Sequence, residues 1–135
     1  MTAAEKALVW LLRLSAAILL LALLATVMPH AWMSAVHRQM GLGELPGMPI
    51  IGYLTRSLSA MYALHGALLL FLSFDVRRYL PLVRFLAAAC VVFGLGMLAL
   101  DVAVAMPLAW TLAEGPSVIV LGGALLGLSL RVGSE

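Results

Sequence analysis

The sequence predicts an all-α, polytopic membrane protein, a single domain of four transmembrane helices in a bundle with a short interfacial helix between the first and second. Three observations predict it. Of the 135 residues, 64% are hydrophobic and 10% are charged, where a soluble domain carries about 25% charged residues. The mean hydropathy is +1.13, so lipid has to be the solvent for most of this apolar surface. The apolar residues are also gathered into discrete segments, at about residues 7–28, 54–74, 82–105 and 117–130, separated by stretches rich in proline, glycine and charge.

The first segment contains Lys6 and Arg13, as a signal peptide would. Its apolar run exceeds the roughly 7–15 residues of a signal-peptide core, and ATVMPHAW offers no small-x-small cleavage site, so it is expected to stay as a span. In PHAWMSAVHRQMGLGELPGMP, Trp32, Met33, Val36 and Met40 recur at roughly helical spacing opposite Ser34, His37, Arg38 and Gln39. That pattern suits a helix lying in the interface with Trp32 at headgroup depth. GLGELPGMP is expected to end it. DVRRYLP forms a tight charged turn that makes the second and third spans antiparallel neighbours. The fourth span, counted from Pro116, covers only about 20 Å at 1.5 Å per residue, so it has to thin the bilayer, begin inside the bundle or use the preceding MPLAWTLAE as part of its depth.

Lys6, Arg13, Arg77, Arg78, Arg84 and Arg131 fall on one side of this layout, and Arg38 and Arg56 on the other. The asymmetry predicts a multi-pass cell-membrane protein with both termini in the cytoplasm. The basic residues form no run or stripe, which excludes a nucleic-acid partner. A single cysteine, Cys90, excludes an internal disulfide and a cysteine-based metal set, and its apolar neighbours mark it as a packing residue.

The second span raises the functional question, because it carries Arg56, Tyr62 and His65. At 100° per residue, Thr55, Ser59, Tyr62, Gly66 and Ser73 fall in one arc, the small polar face that a membrane helix turns to its partners. The third span repeats this with Ala87, Cys90, Gly94, Met97 and Asp101. Asp101 is costly in lipid and should face the bundle. Its level matches that of Arg56, predicting an Arg56–Asp101 pair with Glu114 as a third member or competitor. His65 is expected near the midplane, hydrogen-bonded to a neighbouring hydroxyl or carbonyl. Arg56, Tyr62, His65, Asp101 and Glu114 thus form the candidate polar cluster, with no catalytic and no metal site assigned. His30, His37 and Arg38 are expected to meet lipid headgroups. Gly123 and Gly127 form a small-xxx-small pair suited to close packing within the bundle or in a homodimer.

No phosphate-binding loop, zinc-protease motif, nucleophile elbow or dinucleotide fingerprint is present, and the polar segments are too short for a catalytic domain. The layout resembles the DoxX-like group of small bacterial four-helix membrane proteins. Met28-Pro29 ends the first span, Met33 and Met40-Gly41-Leu42-Gly43 punctuate the interfacial stretch, and Arg56 to Tyr62 reads RSLSAMY at the opening of the second. A compact basic turn and a polar residue late in the third span complete the likeness. The resemblance implies a bacterial inner-membrane protein, some relatives being associated with quinone-linked sulfur oxidation or redox homeostasis. The expected role is a non-enzymatic accessory or binding subunit with an outward polar pocket for a lipid headgroup, a quinone or a partner helix. The alternatives are a quinone-linked redox subunit, with Tyr62 or His65 on a quinone carbonyl, and a dimeric transporter using Asp101 as its proton site. No cofactor is required, quinone being the one candidate. Partners are the bilayer and a further membrane protein or second copy.

Overall fold

The computed structural model describes residues 1–134, with side chains through Val132. Six helices follow in order: α1 (Ala3–Leu20), α2 (Leu23–Val27), α3 (His30–Gln39), α4 (Pro49–Leu72), α5 (Leu80–Ala103) and α6 (Leu108–Ser134). No strand occurs among the described residues. Ala3–Val27, Leu80–Ala103 and Leu108–Val132 are long and apolar enough to cross a membrane. The chain is a small helical membrane protein. Four such spans were expected from the sequence. At 24 residues α4 has the length, but Arg56, Tyr62, His65 and the hydroxyls of Thr55, Ser57 and Ser59 dilute its apolar character.

By packing, the chain divides into two compact units, one formed by Met1–Leu12 with Leu72–Glu135 and the other by Arg13–Phe71. In the first unit, Thr2 and Glu5 start α1 with a reciprocal capping box. The Glu5 amide donates to Thr2 Oγ1 at 3.2 Å and the Thr2 amide to Glu5 Oε2 at 3.4 Å, satisfying two orphan donors of the helix start. Glu5 Oε2 also accepts from Arg77 Nε at 3.1 Å and Nη2 at 3.0 Å, tying that helix start to the turn before α5. In the same turn, the Arg78 amide donates to Asp75 Oδ1 at 3.2 Å. Leu8, Leu12, Leu72, Val83 and Ser129 are the largest fully buried side chains.

The α5–α6 pair forms the body of this unit and rests on glycine. A Cβ on Gly94 would fall 2.9 Å from the Gly115 carbonyl oxygen, one on Gly115 would fall 2.9 Å from that of Gly94, and one on Gly122 would fall 2.8 Å from that of Ala87. Each glycine therefore lets two backbones touch, as small residues do in membrane helix pairs. The third-span face expected to turn inward does so, with Ala87, Gly94 and Asp101 buried. Cys90 packs as expected, its Cβ 3.0 Å from where a Cβ on Gly122 would sit.

Two expectations about the last span are corrected. The helix begins at Leu108, so WTLAEGP is its first turns rather than a loop, and its 27 residues cover about 40 Å. Pro116 lies inside it. A proline removes one intrahelical bond, which membrane helices tolerate where neighbours support the freed groups. Here the adjacent Gly115 lies directly against α5, and Ser117 Oγ donates to the Glu114 carbonyl at 2.9 Å. Gly123 and Gly127 meet nothing within 4 Å, so close packing within the bundle falls to Gly122, about 100° around the helix from Gly123.

In the second unit, α1 loses regularity at Leu21–Ala22. The Ala22 amide there reaches Leu19 O at 3.1 Å and the Leu24 amide reaches Leu21 O at 3.0 Å, the tightened i to i−3 pattern. The span expected to be one helix is thus α1 followed by the five-residue α2. Pro49 opens α4, where its missing N–H costs nothing. Gly66 rests on α1, since a Cβ there would fall 2.9 Å from Leu19 Cβ and 3.0 Å from the Ala16 carbonyl oxygen.

These contacts predict opposite outcomes for neighbouring glycines. Gly122→Ala should lower stability in detergent by about 1–3 kcal/mol through overpacking, whereas Gly123→Ala should leave it unchanged or raise it by up to about 1 kcal/mol through helix propensity. Thermal unfolding followed by circular dichroism measures both. Equal losses in the two variants would contradict the packing.

Candidate functional site

The polar candidates divide between the two units, with Arg56, Tyr62 and His65 in one and Asp101 and Glu114 in the other. Arg56 sits two turns into α4, where Gly52 makes room for its guanidinium: a Cβ on Gly52 would lie 3.1 Å from Arg56 Nη1. Nη1 donates to the Gly52 carbonyl at 3.2 Å and Nη2 to the Met28 carbonyl at 3.1 Å. Met28 is extended, with φ −66° and ψ 135°, at the end of α2, so its carbonyl is not used by a helix. Within its own unit Arg56 is thus satisfied by main-chain acceptors; ion pairs join Arg38 to Glu44 and Glu5 to Arg77.

The hydroxyl stripe of α4 faces inward as expected, Thr55, Ser59 and Tyr62 being half-buried and Gly66 buried, and Ser73, just beyond the end of the helix, is buried as well. Its short hydroxyls bond within their own helix. Thr55 Oγ1 donates to Ile51 O at 2.9 Å and Ser59 Oγ to Thr55 O at 2.8 Å. Such back-bonding satisfies a hydroxyl in lipid without a partner helix. His65 is half-buried, and no hydrogen bond joins it to another described residue.

The interfacial stretch forms a helix as expected, and its polar side chains bind the loop that follows. Ser34 Oγ donates to Glu44 Oε2 at 2.9 Å, and Arg38 Nη1 reaches Glu44 Oε1 at 2.7 Å. His37 Nδ1 lies 2.8 Å from the Gly43 carbonyl and His30 Nε2 lies 3.5 Å from that of Pro46, each ring nitrogen donating. Gly41, at φ 79°, closes α3 with a Schellman motif in which the Leu42 amide reaches His37 O at 3.1 Å and the Gly41 amide reaches Arg38 O at 3.0 Å. His30, His37 and Arg38 thus hold the loop that follows α3. No group of three or more His, Cys, Asp or Glu side chains among the described residues is placed to hold a metal.

The turn from α5 to α6 is different in kind. Asp101 is only 3% exposed, and its Oδ2 has no hydrogen-bond partner. Three residues after it, the chain leaves the helix through a second Schellman motif. The Met106 amide reaches Asp101 O at 2.9 Å and the Ala105 amide reaches Val102 O at 3.3 Å. The left-handed position is held by Ala105, at φ 55°, where glycine would be free of the roughly 1 kcal/mol that a Cβ costs. The next residues are Met106 and Pro107, and α6 then places Thr111, buried, and the pair Trp110–Glu114, whose indole Nε1 donates to Glu114 Oε2 at 2.6 Å. An orphaned buried carboxyl beside a strained backbone position is the pattern in which local cost is retained for a role.

Several participants lie outside the sequence expectations. Glu5 was legible in the T-x-x-E pattern of Thr2 to Glu5, and Trp110–Glu114 in its i, i+4 spacing. Arg84, whose Nη2 donates to the Ser129 carbonyl at 3.0 Å while its buried Nε has no partner, was counted only as an orientation charge. Nothing marks Ala105 except the Met106-Pro107 that follows.

Comparison with protein-family models, with curated proteins and with solved structures finds no match.

Proposed function

We propose that this protein is an accessory or binding subunit of a bacterial inner membrane, with four spans formed by α1–α2, α4, α5 and α6, and that Asp101 is the centre of its binding site. The observation that carries the proposal is the buried, unpartnered Asp101 Oδ2. A buried polar atom left without a partner costs about 1–3 kcal/mol, and an acid within a membrane helix adds to that cost. A helix otherwise free to place an apolar residue there keeps such a group when something outside the chain fills it. The acceptor calls for a donor, such as a hydroxyl or amine of a lipid headgroup, a quinol hydroxyl or a partner helix.

The alternating sidedness of four spans puts both termini on one face, and the basic residues near that face assign it to the cytoplasm. The likeness to the DoxX-like group, carried by Gly41 to Gly43 and Arg56 to Tyr62, belongs to the same proposal and adds no reaction to it. Gly123 and Gly127, open on the outer face of α6, suit the homodimer expected from the sequence.

Two tests follow. Asp101→Asn should raise the thermal stability of the delipidated protein, by an amount on the order of 1 kcal/mol, while removing a bound molecule that native mass spectrometry finds with the wild type and that a Glu114→Gln protein still keeps. A loss of stability with no retained molecule in either protein would make Asp101 structural. For topology, a cysteine at Gly43 with Cys90 replaced should react with an impermeant maleimide from the periplasmic side, and reaction from the cytoplasmic side alone would overturn the arrangement.

A further inference from the structure

A groove runs along α6 on a face distinct from the glycine contact with α5. Ala113, Pro116, Ser117, Val120 and Ala124 line it together with Leu11 of α1, and it encloses about 670 Å³. Its form follows from the sequence. Ala113, Pro116, Ser117 and Ala124 stand at helical spacing on one side, and their small side chains leave a channel between bulkier neighbours. From Leu112 to Ala124 the groove covers about 18 Å at 1.5 Å per residue. That is close to one leaflet, half of the roughly 30 Å hydrocarbon core.

One end of the groove is polar. Ala113 also lines a smaller hollow of about 240 Å³, whose other walls are Trp110 and Glu114. Trp110 fixes Glu114 through its indole N–H at 2.6 Å to Oε2, and no protein donor among the described residues reaches Oε1. A carboxylate beside an indole suits an ammonium group, through charge and through the aromatic face. Tryptophan is also the residue that settles at headgroup depth.

We infer that this face of α6 is a site for one aminophospholipid, with the ammonium group at Glu114 and Trp110 and one acyl chain along the groove. The commitment to phosphatidylethanolamine rests on charge and on length. An anionic headgroup would be repelled by Glu114, and the small-residue channel has the depth of a single leaflet. The site goes beyond the Asp101 proposal and does not depend on it.

The experiment is lipid competition in nanodiscs containing equal phosphatidylethanolamine and phosphatidylglycerol, with bound lipid counted by native mass spectrometry. The wild type should retain one phosphatidylethanolamine per chain in preference to phosphatidylglycerol. Glu114→Gln should reduce that preference by about tenfold or more, the worth of a charge-assisted hydrogen bond. A separate variant, Val120→Phe with Ala124→Leu, fills the groove away from Glu114 and should lower retention of either lipid. Equal retention of the two lipids by the wild type would overturn the site, as would a Glu114→Gln protein that keeps the preference or a groove-filled protein that retains lipid at the wild-type level. A molecule held through Asp101 alone would overturn this site while leaving the Asp101 proposal in place.

Discussion

The backbone contact between α5 and α6 through Gly94, Gly115 and Gly122 is the constraint on which the first unit depends. Lipid supplies no hydrophobic drive for two helices to associate, so the pair is held by close packing, and only residues without a Cβ allow main chain to lie against main chain. With Gly94 against Gly115 and Gly122 against Ala87, the rotation of both helices is fixed. Asp101 then has to lie on the packed face of α5, because it stands seven residues, about two turns, beyond Gly94. The same contact supports the stretch around Pro116, whose missing hydrogen bond would otherwise weaken α6 near its start.

The fixed rotation also explains the division of labour around α6. One face carries the glycine contact, and the side turned away from it bears the groove that begins beside Trp110 and Glu114, with Gly123 and Gly127 along its edge. A long apolar helix acquires these separate faces from small residues alone. The unpartnered Asp101 carboxyl and the left-handed Ala105 together represent a local cost of a few kcal/mol. An apolar residue and a glycine would remove it, and this retained cost is what supports the binding role proposed for Asp101.

Much of the helical architecture was legible in the sequence, because apolar length and proline position are strong local signals. The interfacial helix, the inward faces of α4 and α5 and the tight turn between them follow directly from 3.6-residue periodicity. The start of α6 was misplaced because Glu114, Gly115 and Pro116 read as a loop, yet Gly115 is needed for contact with α5 and the helix absorbs the proline. Gly122 and Gly123 cannot be ranked by spacing, since which of two adjacent glycines faces a neighbour depends on rotation set elsewhere.

The polar residues were found more readily than their partners. Arg56, Asp101 and Glu114 stand out against an apolar background, but a guanidinium is satisfied by main-chain carbonyls as well as by a carboxylate, and the extended Met28 that offers one is invisible in composition. The loop contacts of His30, His37 and Arg38 are likewise not marked by spacing, because they depend on Gly43, Glu44 and Pro46 folding back on α3. The role assigned to Asp101 is tested most directly by determining the structure of the protein in a lipid nanodisc and inspecting the surroundings of Asp101 Oδ2. A bound non-protein molecule within hydrogen-bonding distance of that oxygen is the predicted result. A protein donor or a lone water occupying the position would contradict it.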